Sequence, residues 1–523
     1  MDVLSSFNVL FLKESFMKIN QLKPGAILSY LSMGLGLVVS ILFTPIMLRL
    51  LGRSEYGLYN LVSSVVSYLG LLKFGFGSAY MRYFSRYRVK DDQKGIATLN
   101  GMFLVVFSVI GLIAAAAGFI LAQTTEIIFG SKLTLEELAT ARILMMILVV
   151  NLAVSFPNIV FSSYMTANED FIFQRLLQIV KVVVSPLVTL PVLIMGFGSV
   201  GMVAVTTLIH VLIEIVNIWY SIRKLAMRFS FHDFDFALLK EMTVFSSFIF
   251  INMVTDQINW SVDKFLLGRF HGTIAVAVYG LAAQLNSYYK QIGTTISTVF
   301  VPRIHKLIAS SEKMDELTLL FTRIGRIQFI LLSLIGTGLI FFGRPFILKW
   351  AGHDYDGSYP ILLWLAIPVT IDLIQNIGIE ITRAMNMHKF RSIVYLVMAV
   401  ANLVISIPLT RQYGGVGAAI GTGLSVFIGN GLIMNWYYHA RVGLDILFFW
   451  KQIARFLPSL IIPTAVGILF NVFFDLNNTW LFLTLGVVYC LIFMGSMWFF
   501  GMNQYEKNLI SKPLRRKFNK RMQ

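Results

Sequence analysis

The sequence predicts an all-α integral membrane protein with 14 transmembrane helices. Two observations carry this prediction: 14 apolar stretches run along the 523 residues, and lysine and arginine concentrate in every second gap between them. An apolar stretch of about 18 or more residues is long enough to cross a bilayer as a helix. The stretches are 24–50, 56–80, 99–122, 140–165, 172–195, 198–220, 243–267, 273–301, 325–346, 359–382, 391–410, 414–438, 452–474 and 479–501.

The distribution of basic residues orients the chain in the membrane. Cytoplasmic loops carry an excess of lysine and arginine. One set of gaps, together with the N-terminus and the C-terminal tail, holds most of the 43 basic residues. Both termini are therefore predicted to be cytoplasmic. The basic gaps are 82–98, 166–175, 221–240, 302–326, 383–391 and 439–455.

The bulk composition excludes several classes of protein. Hydrophobic residues make up 57% of the chain and the mean hydropathy is +0.75, whereas soluble domains contain roughly 45–50% apolar residues. The net charge of +17 follows the positive-inside rule, so no nucleic-acid partner is expected. Cys490 is the only cysteine, which excludes disulfides and cysteine-based metal sites.

No sequence motif for catalysis is present. The chain has no phosphate-binding G-x-x-x-x-G-K-[ST] loop and no H-E-x-x-H metal motif. The predicted loops are also too short to hold a catalytic domain. We therefore expect no enzyme activity, no cofactor and no metal.

An internal duplication relates the two halves of the chain. Three pairs of short segments recur at an offset of 216 or 217 residues, in equivalent places of two six-span blocks. Because six is an even number, both blocks enter the membrane from the same side and form a parallel repeat. The pairs are 50–53 with 266–269, 198–201 with 414–417, and Pro191 with Pro408.

This repeat predicts two six-helix lobes followed by two further helices. Parallel repeats of this kind usually carry a transport site between the halves. The predicted divisions are a cytoplasmic N-terminal segment at 1–23, an N-lobe at 24–222, a cytoplasmic linker at 223–240, a C-lobe at 241–440, spans 13 and 14 at 441–502, and a basic cytoplasmic tail at 503–523.

The end of the first span carries a resemblance to a known family. It reads Leu50-Leu51-Gly52-Arg53-Ser54-Glu55-Tyr56-Gly57-Leu58-Tyr59, and the second span continues through Phe74-Gly75-Phe76-Gly77 to Arg82-Tyr83-Phe84-Ser85-Arg86. The chain resembles the polysaccharide export flippases of O-antigen, capsule and related lipid-linked glycans. These belong to the multidrug/oligosaccharidyl-lipid/polysaccharide superfamily. The chain departs from the family pattern at Lys73, where members often carry an acidic residue.

The resemblance implies a MATE-like fold and a flippase function. The expected substrate is an oligosaccharide linked to a polyprenyl diphosphate, moved from the inner to the outer leaflet of the bacterial cytoplasmic membrane. Expected partners are membrane lipids and the polymerase and glycosyltransferases of the same pathway. The alternative is a cation-coupled multidrug or small-molecule antiporter of the same superfamily. Such an antiporter needs a cleft dominated by carboxylates.

Acidic residues within the spans are candidates for ion or proton coupling. Ionisable groups at membrane depth are costly and usually face a cavity or one another. Span 7 carries Asn252, Asp256, Asn259 and Asp263 on one helical face, which we expect to line water. The candidates are Asp256, Asp263, Asp372, Glu380 and Glu214. Arg383 is placed to pair with Glu380, and Glu214 follows His210 by four residues.

Lysines within the spans are candidates for binding an anionic substrate. Lys73 and Lys290 lie 217 residues apart, at the offset of the duplication, so they are predicted to be symmetry mates that clamp an anion. Lys181 and Lys264 join them as candidates. The alternative left open is that each lysine pairs with a carboxylate or extends to the membrane interface.

The predicted topology is tested by cysteine labelling. A cysteine at Ser131 should react with an impermeant thiol reagent added to intact cells, whereas a cysteine at Ser311 should not. The native Cys490 should stay unlabelled, because it lies within the last span. Labelling at Ser311 but not at Ser131 would invert the orientation.

Overall fold

The computed structural model describes residues 22–232, 234–298, 300–309, 314–509 and 511. Every regular element in these ranges is a helix. Most of the predicted segment 1–23 and of the predicted tail 503–523 lies outside these ranges. The main helices are α1 Leu22–Leu69, α2 Phe76–Val89, α3 Gln93–Gln123, α4 Leu135–Ala167, α5 Phe171–Ile194, α6 Gly198–Arg223, α7 Phe236–His271, α8 Thr273–Thr298, α9 Val301–Ala309, α10 Met314–Trp350, α11 Ser358–Ile374, α12 Ile377–Ala384, α13 His388–Val426, α14 Ile446–Ala454, α15 Leu457–Phe473 and α16 Thr479–Ser496.

The helices are long and apolar enough for a multi-pass membrane protein. Nine candidate spans occur within the described ranges, or up to 11 if each of two bent helix pairs is one span. The bent pairs are α11 with α12, at 44°, and α14 with α15, at 41°. Large apolar side chains on the outer faces are exposed, among them Leu112 and Val487, as lipid-facing residues are.

Two of the longest candidate spans contain sharp breaks. Ile27–Val89 counts as one stretch of 63 residues and Lys389–Val442 as one of 54. Gly52 interrupts the first with φ 72°, and Gly414 interrupts the second with φ 58°. Glycine takes positive φ without steric cost, so the chain turns at these positions while remaining helical on both sides. Both breaks fall at or beside predicted gaps between spans.

The described chain divides into two compact units, and the division falls between Val254 and Thr255. This position lies inside α7, which the sequence assigns as the first span of the second lobe. The physical reason is the packing of the first part of α7: Leu238 and Met242 belong to the hydrophobic core of the first unit. The lobe boundaries expected from the sequence stay a prediction.

An aromatic core of α2, α3 and α4 organises the first unit. Phe76 makes edge-to-face contacts with Phe103 and Phe107, each at a centroid distance of 6.2 Å. This is a favourable geometry for aromatic pairs. Buried Tyr80 donates a hydrogen bond to Asn100 at 2.5 Å, and the Asn100 amide donates to the carbonyl oxygen of Arg228 at 2.9 Å. These bonds satisfy the buried polar groups of Tyr80 and Asn100.

A buried ion pair holds the end of the described chain against the second unit. Arg326 of α10 donates to the Glu506 carboxylate from Nε at 2.6 Å and from Nη2 at 2.9 Å. Its guanidinium also donates to the carbonyl oxygens of Gln452 and Gly501 and lies 4.2 Å from the Phe456 ring centroid. All the charge of this pair is therefore met by fixed partners.

Removing one partner of this pair should destabilise the second unit. Glu506→Ala leaves the Arg326 guanidinium buried without its counterion, which costs about 3–5 kcal/mol for buried pairs. The exposed pair between Arg344 and Asp356 has the same two-bond geometry, at 2.8 Å for each bond. There the hydrogen bonds and charge of Arg344 hold the pKa of Asp356 below its usual range.

Asp356→Ala is the matched control. Because water screens an exposed pair, its loss should leave stability nearly unchanged. Unfolding by sodium dodecyl sulfate in mixed micelles measures both variants. Equal stability of the Glu506→Ala and Asp356→Ala proteins would contradict the anchoring role of the buried pair.

Candidate functional site

The motif at the end of the first span holds a helix terminus of the first unit. The Glu55 carboxylate accepts a hydrogen bond from the Ser199 backbone N–H at 2.6 Å, at the start of α6. An anion at a helix N-terminus satisfies free N–H groups and is favoured by the helix dipole. Gly198 has φ +58°, and a Cβ there would lie 2.5 Å from Glu55 Oε2. The neighbouring Ser54 donates to Glu137 at 2.5 Å. These contacts assign the motif a structural role.

The corresponding place in the second unit repeats this arrangement with different chemistry. His271 lies 216 residues after Glu55, and Gly414 lies 216 after Gly198. Gly414 has the same φ as Gly198, +58°. The His271 ring Nε2 lies 2.6 Å from the carbonyl oxygen of Thr410. The shared glycine conformation supports the predicted duplication.

The first unit contains a cavity of about 830 Å³ whose wall has both apolar and polar residues. Its wall comes from α1, α4, α5 and α6, and it includes the predicted site residue Lys181. The other wall residues are rich in amides and hydroxyls, which both donate and accept hydrogen bonds. The polar members are Ser40, Tyr59, Ser162, Thr166, Gln174, Gln178, Lys181, Ser185, Thr189, Thr206 and Asn217.

Two ionisable residues of α6, His210 and Glu214, lie near this cavity, whose wall includes the α6 residues Ile213 and Asn217. The Glu214 carboxylate lies 3.3 Å from His210 Nε2 and 3.4 Å from Asn217 Nδ2. The charges of Lys181 and Lys73 both act on Glu214 and His210. The structure therefore brings predicted Glu214, Lys181 and Lys73 into one electrostatic neighbourhood.

Lys73 lies at a backbone break that its repeat partner does not share. It ends a short 3-10 turn, Gly70–Lys73, and the following Phe74 and Gly75 have positive φ. Lys290 instead lies within the continuous helix α8. The symmetric clamp of the two lysines stays a prediction.

Four ionisable side chains on four helices form a charge cluster in the second unit. Lys290 of α8 is half-buried, and the charges of Asp372 and Asp256 act on it. Asp256 of α7 is exposed, and Asp372 lies on α11. Arg391 of α13 acts on both carboxylates. This cluster unites three predicted site residues and adds Arg391.

The four charged groups act on one another but are not closed into pairs. Among the described side chains, none of the four makes a direct ion pair with another. Buried pairs that serve stability close tightly, as Arg326 and Glu506 do. We call this cluster open, because none of its charges is held by a direct ion pair with another member.

Two aromatic side chains accompany the cations of this cluster. The Lys290 ammonium lies 3.2 Å from the Trp260 ring centroid. The Arg391 guanidinium lies 5.5 Å from the Tyr395 ring centroid. Both distances are within the range of about 6 Å for cation–π attraction. Trp260 follows Asp256 by one helical turn, so it shares that face of α7.

The expectation that the whole α7 stripe lines water is wrong. Asp256 is exposed, but Asn259 and Asp263 are 8% and 1% exposed. Asp263 accepts hydrogen bonds from Tyr279 at 2.5 Å and Thr422 at 2.7 Å. This end of the stripe faces neighbouring helices, whose hydroxyl groups donate hydrogen bonds to the Asp263 carboxylate. Lys264, next to Asp263, is half-buried.

The last predicted acid, Glu380, makes a local pair. Arg383 donates to it at 2.7 Å, as the sequence predicted, and the arginine is exposed. Asp372 does not depend on this pair, since the charges acting on it are those of Arg391 and Lys290. Asp372 and Glu380 share predicted span 10 but lie on two helices, because the chain bends after Ile374.

Sequence reasoning missed Arg391 and Trp260. Arg391 was counted as a loop cation, because it stands at the predicted start of span 11. The spacing of Trp260 from Asp256 was a usable signal, since four residues place both on one face. No signal in the sequence links Arg391 to Asp372, which come together only through the packing of α11 and α13.

The chain belongs to the polysaccharide biosynthesis protein family, whose pattern matches residues 22–308, more than half of the sequence. This confirms the family expected from the motif. A relative, the uncharacterized membrane protein EpsK of Bacillus subtilis (strain 168), is 21% identical over 418 residues. That alignment covers 78% of this chain and 81% of EpsK.

Solved structures share the fold. The inward closed conformation of the lipid II flippase MurJ matches with a TM-score of 0.71 and 19% identity, covering 90% of this chain and 97% of that chain. An inward-facing multidrug resistance MATE family transporter of the MOP superfamily matches with a TM-score of 0.63 and 13% identity, covering 79% and 96%. The fold is thus that of MurJ and the MATE transporters.

Proposed function

We propose that this protein flips a lipid-linked oligosaccharide, carried on a polyprenyl diphosphate, from the inner to the outer leaflet of the bacterial cytoplasmic membrane. The observation that carries the proposal is the open charge cluster of the second unit, in which Lys290 and Arg391 act on two carboxylates without a direct ion pair among the described side chains. Family membership and the fold shared with a lipid II flippase support it.

The cations answer the main physical problem of this reaction. A diphosphate must cross about 30 Å of hydrocarbon, where an isolated ion costs tens of kcal/mol in the Born limit. Lys290 offers a point charge without the fixed fork of arginine, which suits a ligand that must be released. Arg391 offers a bidentate contact to a phosphate. The lipid tail stays in the bilayer throughout.

The first-unit cavity suits the glycan. Sugars present many hydroxyl groups, and the cavity wall carries Gln174, Gln178 and Asn217 together with several hydroxyls. Each amide donates and accepts, so it can meet a sugar hydroxyl in either role. Lys181 adds one positive charge for an acidic sugar or a phosphate.

The membrane potential drives export of an anion. With the inside negative, moving one negative charge outward gains about 2.3 kcal/mol per 100 mV. Ion coupling is therefore an addition rather than a requirement. The candidates remain Asp256, Asp372, Glu380, Glu214 and Asp263, whose Oδ1 has no hydrogen-bond partner among the described residues.

The second candidate function is a cation-coupled multidrug antiporter. The fold shared with a multidrug resistance MATE transporter favours it, as does the exposure of Asp256 in the cluster. The two functions differ in the charge of the ligand. A cationic drug would be repelled by Lys290 and Arg391, whereas a diphosphate would be attracted.

The proposal includes a topology and partners. We infer 14 spans in two six-helix lobes plus two C-terminal helices. The stretches that break at Gly52 and Gly414 count as two spans each, each bent pair counts as one, and α8 supplies the remaining span. Both termini lie in the cytoplasm, and alternating access moves the substrate. The pathway's glycosyltransferases supply the substrate and its polymerase receives it.

Lys290→Ala should largely abolish glycan export while the protein remains in the membrane, because the anion loses a central counter-charge. Lys290→Arg should keep part of the activity, and Lys73→Ala should show a weaker defect. Surface polysaccharide in a deletion strain that carries each variant measures the effect.

Lys349→Ala is the matched control. This lysine of the second unit is bonded to the carbonyl oxygen of Asn477 and lies outside the charge cluster, so export should be normal. Normal export by Lys290→Ala would remove the cluster from the mechanism.

A further inference from the structure

The ammonium group of Lys290 occupies a position that a ligand cation could fill. It lies 3.2 Å from the centroid of the Trp260 ring, so it covers one face of the indole. Tryptophan is the aromatic side chain that attracts cations most strongly, and aromatic faces are used to recognise quaternary ammonium ligands. Lys290 is thus held by a group that would also hold a free ammonium ion.

Two carboxylates complete the surroundings of this ammonium group. Asp256 lies one turn before Trp260 on α7, and Asp372 approaches from α11. Both act electrostatically on Lys290, and the described residues include no direct ion pair between them and the lysine. An aromatic face with two nearby carboxylates forms a cage whose chemistry fits an alkylammonium ion.

The balance of charge depends on the lysine. Asp256 and Asp372 contribute two negative charges, and Lys290 and Arg391 contribute two positive charges. Without the lysine side chain the cluster has one uncompensated negative charge and an uncovered indole face. An uncompensated charge in a half-buried site is costly, so the altered site should attract a cation.

We propose that Trp260, Asp256 and Asp372 form an alkylammonium-binding cage that Lys290 fills as a tethered cation. The lysine thereby keeps free organic cations out of the second unit of the native chain. An anion that draws the ammonium away from the Trp260 ring competes with the cage. This cage requires only the described geometry and does not depend on which substrate the protein exports.

The test uses n-propylammonium and the purified full-length Lys290→Ala protein in detergent. Alanine keeps Cβ, so n-propylammonium replaces the atoms that are lost, three carbons and one nitrogen. We expect it to raise the unfolding midpoint of Lys290→Ala with increasing concentration, as a ligand of the native state does. Neutral 1-propanol and anionic propionate should give no such rise, and the native protein should not respond.

Two further variants separate the cage from a non-specific effect. Lys290→Met fills the space without a charge, so n-propylammonium should not stabilise it. In Lys290→Ala combined with Trp260→Leu, the affinity should fall roughly tenfold because the cation–π attraction is lost. An equal response in all proteins, or none in folded Lys290→Ala, would overturn the proposal.

A measurement that keeps Lys290 in place covers the case in which Lys290→Ala does not fold. Trp260→Leu should release the ammonium group and raise the modification of Lys290 by an amine-reactive anhydride, quantified by mass spectrometry. Lys181 of the first unit serves as the internal reference. An unchanged ratio of Lys290 to Lys181 modification would show that the indole does not hold the lysine.

Discussion

In this chain, an ionisable side chain that lies away from water must have its charge compensated by other groups. An ion in hydrocarbon is so costly that each such residue needs fixed partners or a hydrated space. The second unit contains both solutions. Arg326 and Glu506 close on each other with short bonds and backbone carbonyls. The charge cluster has two cations, Lys290 and Arg391, and two carboxylates, but its members do not form direct ion pairs with one another.

This difference separates structural charges from candidate functional ones. A closed pair resists change, because removing either partner leaves a buried charge. An open cluster can exchange an internal partner for a ligand at little cost, since its charges are already partly satisfied. The same distinction applies in the first unit. There Glu55 is hydrogen-bonded to the start of α6, while Lys181 lines a cavity.

Many of the helices and the family followed from the sequence because each has a local signal. Apolar length predicts spans, and the breaks at Gly52 and Gly414 fall at or beside predicted gaps. The break at Lys73 and the bend after Ile374 lie inside predicted spans and were missed. The motif around Glu55 identified the family, yet its contact with Ser199 crosses 144 residues and has no local signal. Burial of Asp263 was missed for the same reason. Helical spacing shows which residues share a face but not what that face meets.

The most direct test of the proposed function is transport by the purified protein in liposomes. A fluorescent disaccharide on a polyprenyl diphosphate is placed in the membrane, and an impermeant reductant quenches the label in the outer leaflet. The account predicts that the protein moves labelled glycolipid from the inner to the outer leaflet and so renews the label that the reductant can quench. Excess soluble pyrophosphate should slow this movement. Renewal no faster than in protein-free liposomes, together with uptake of a cationic dye, would contradict it.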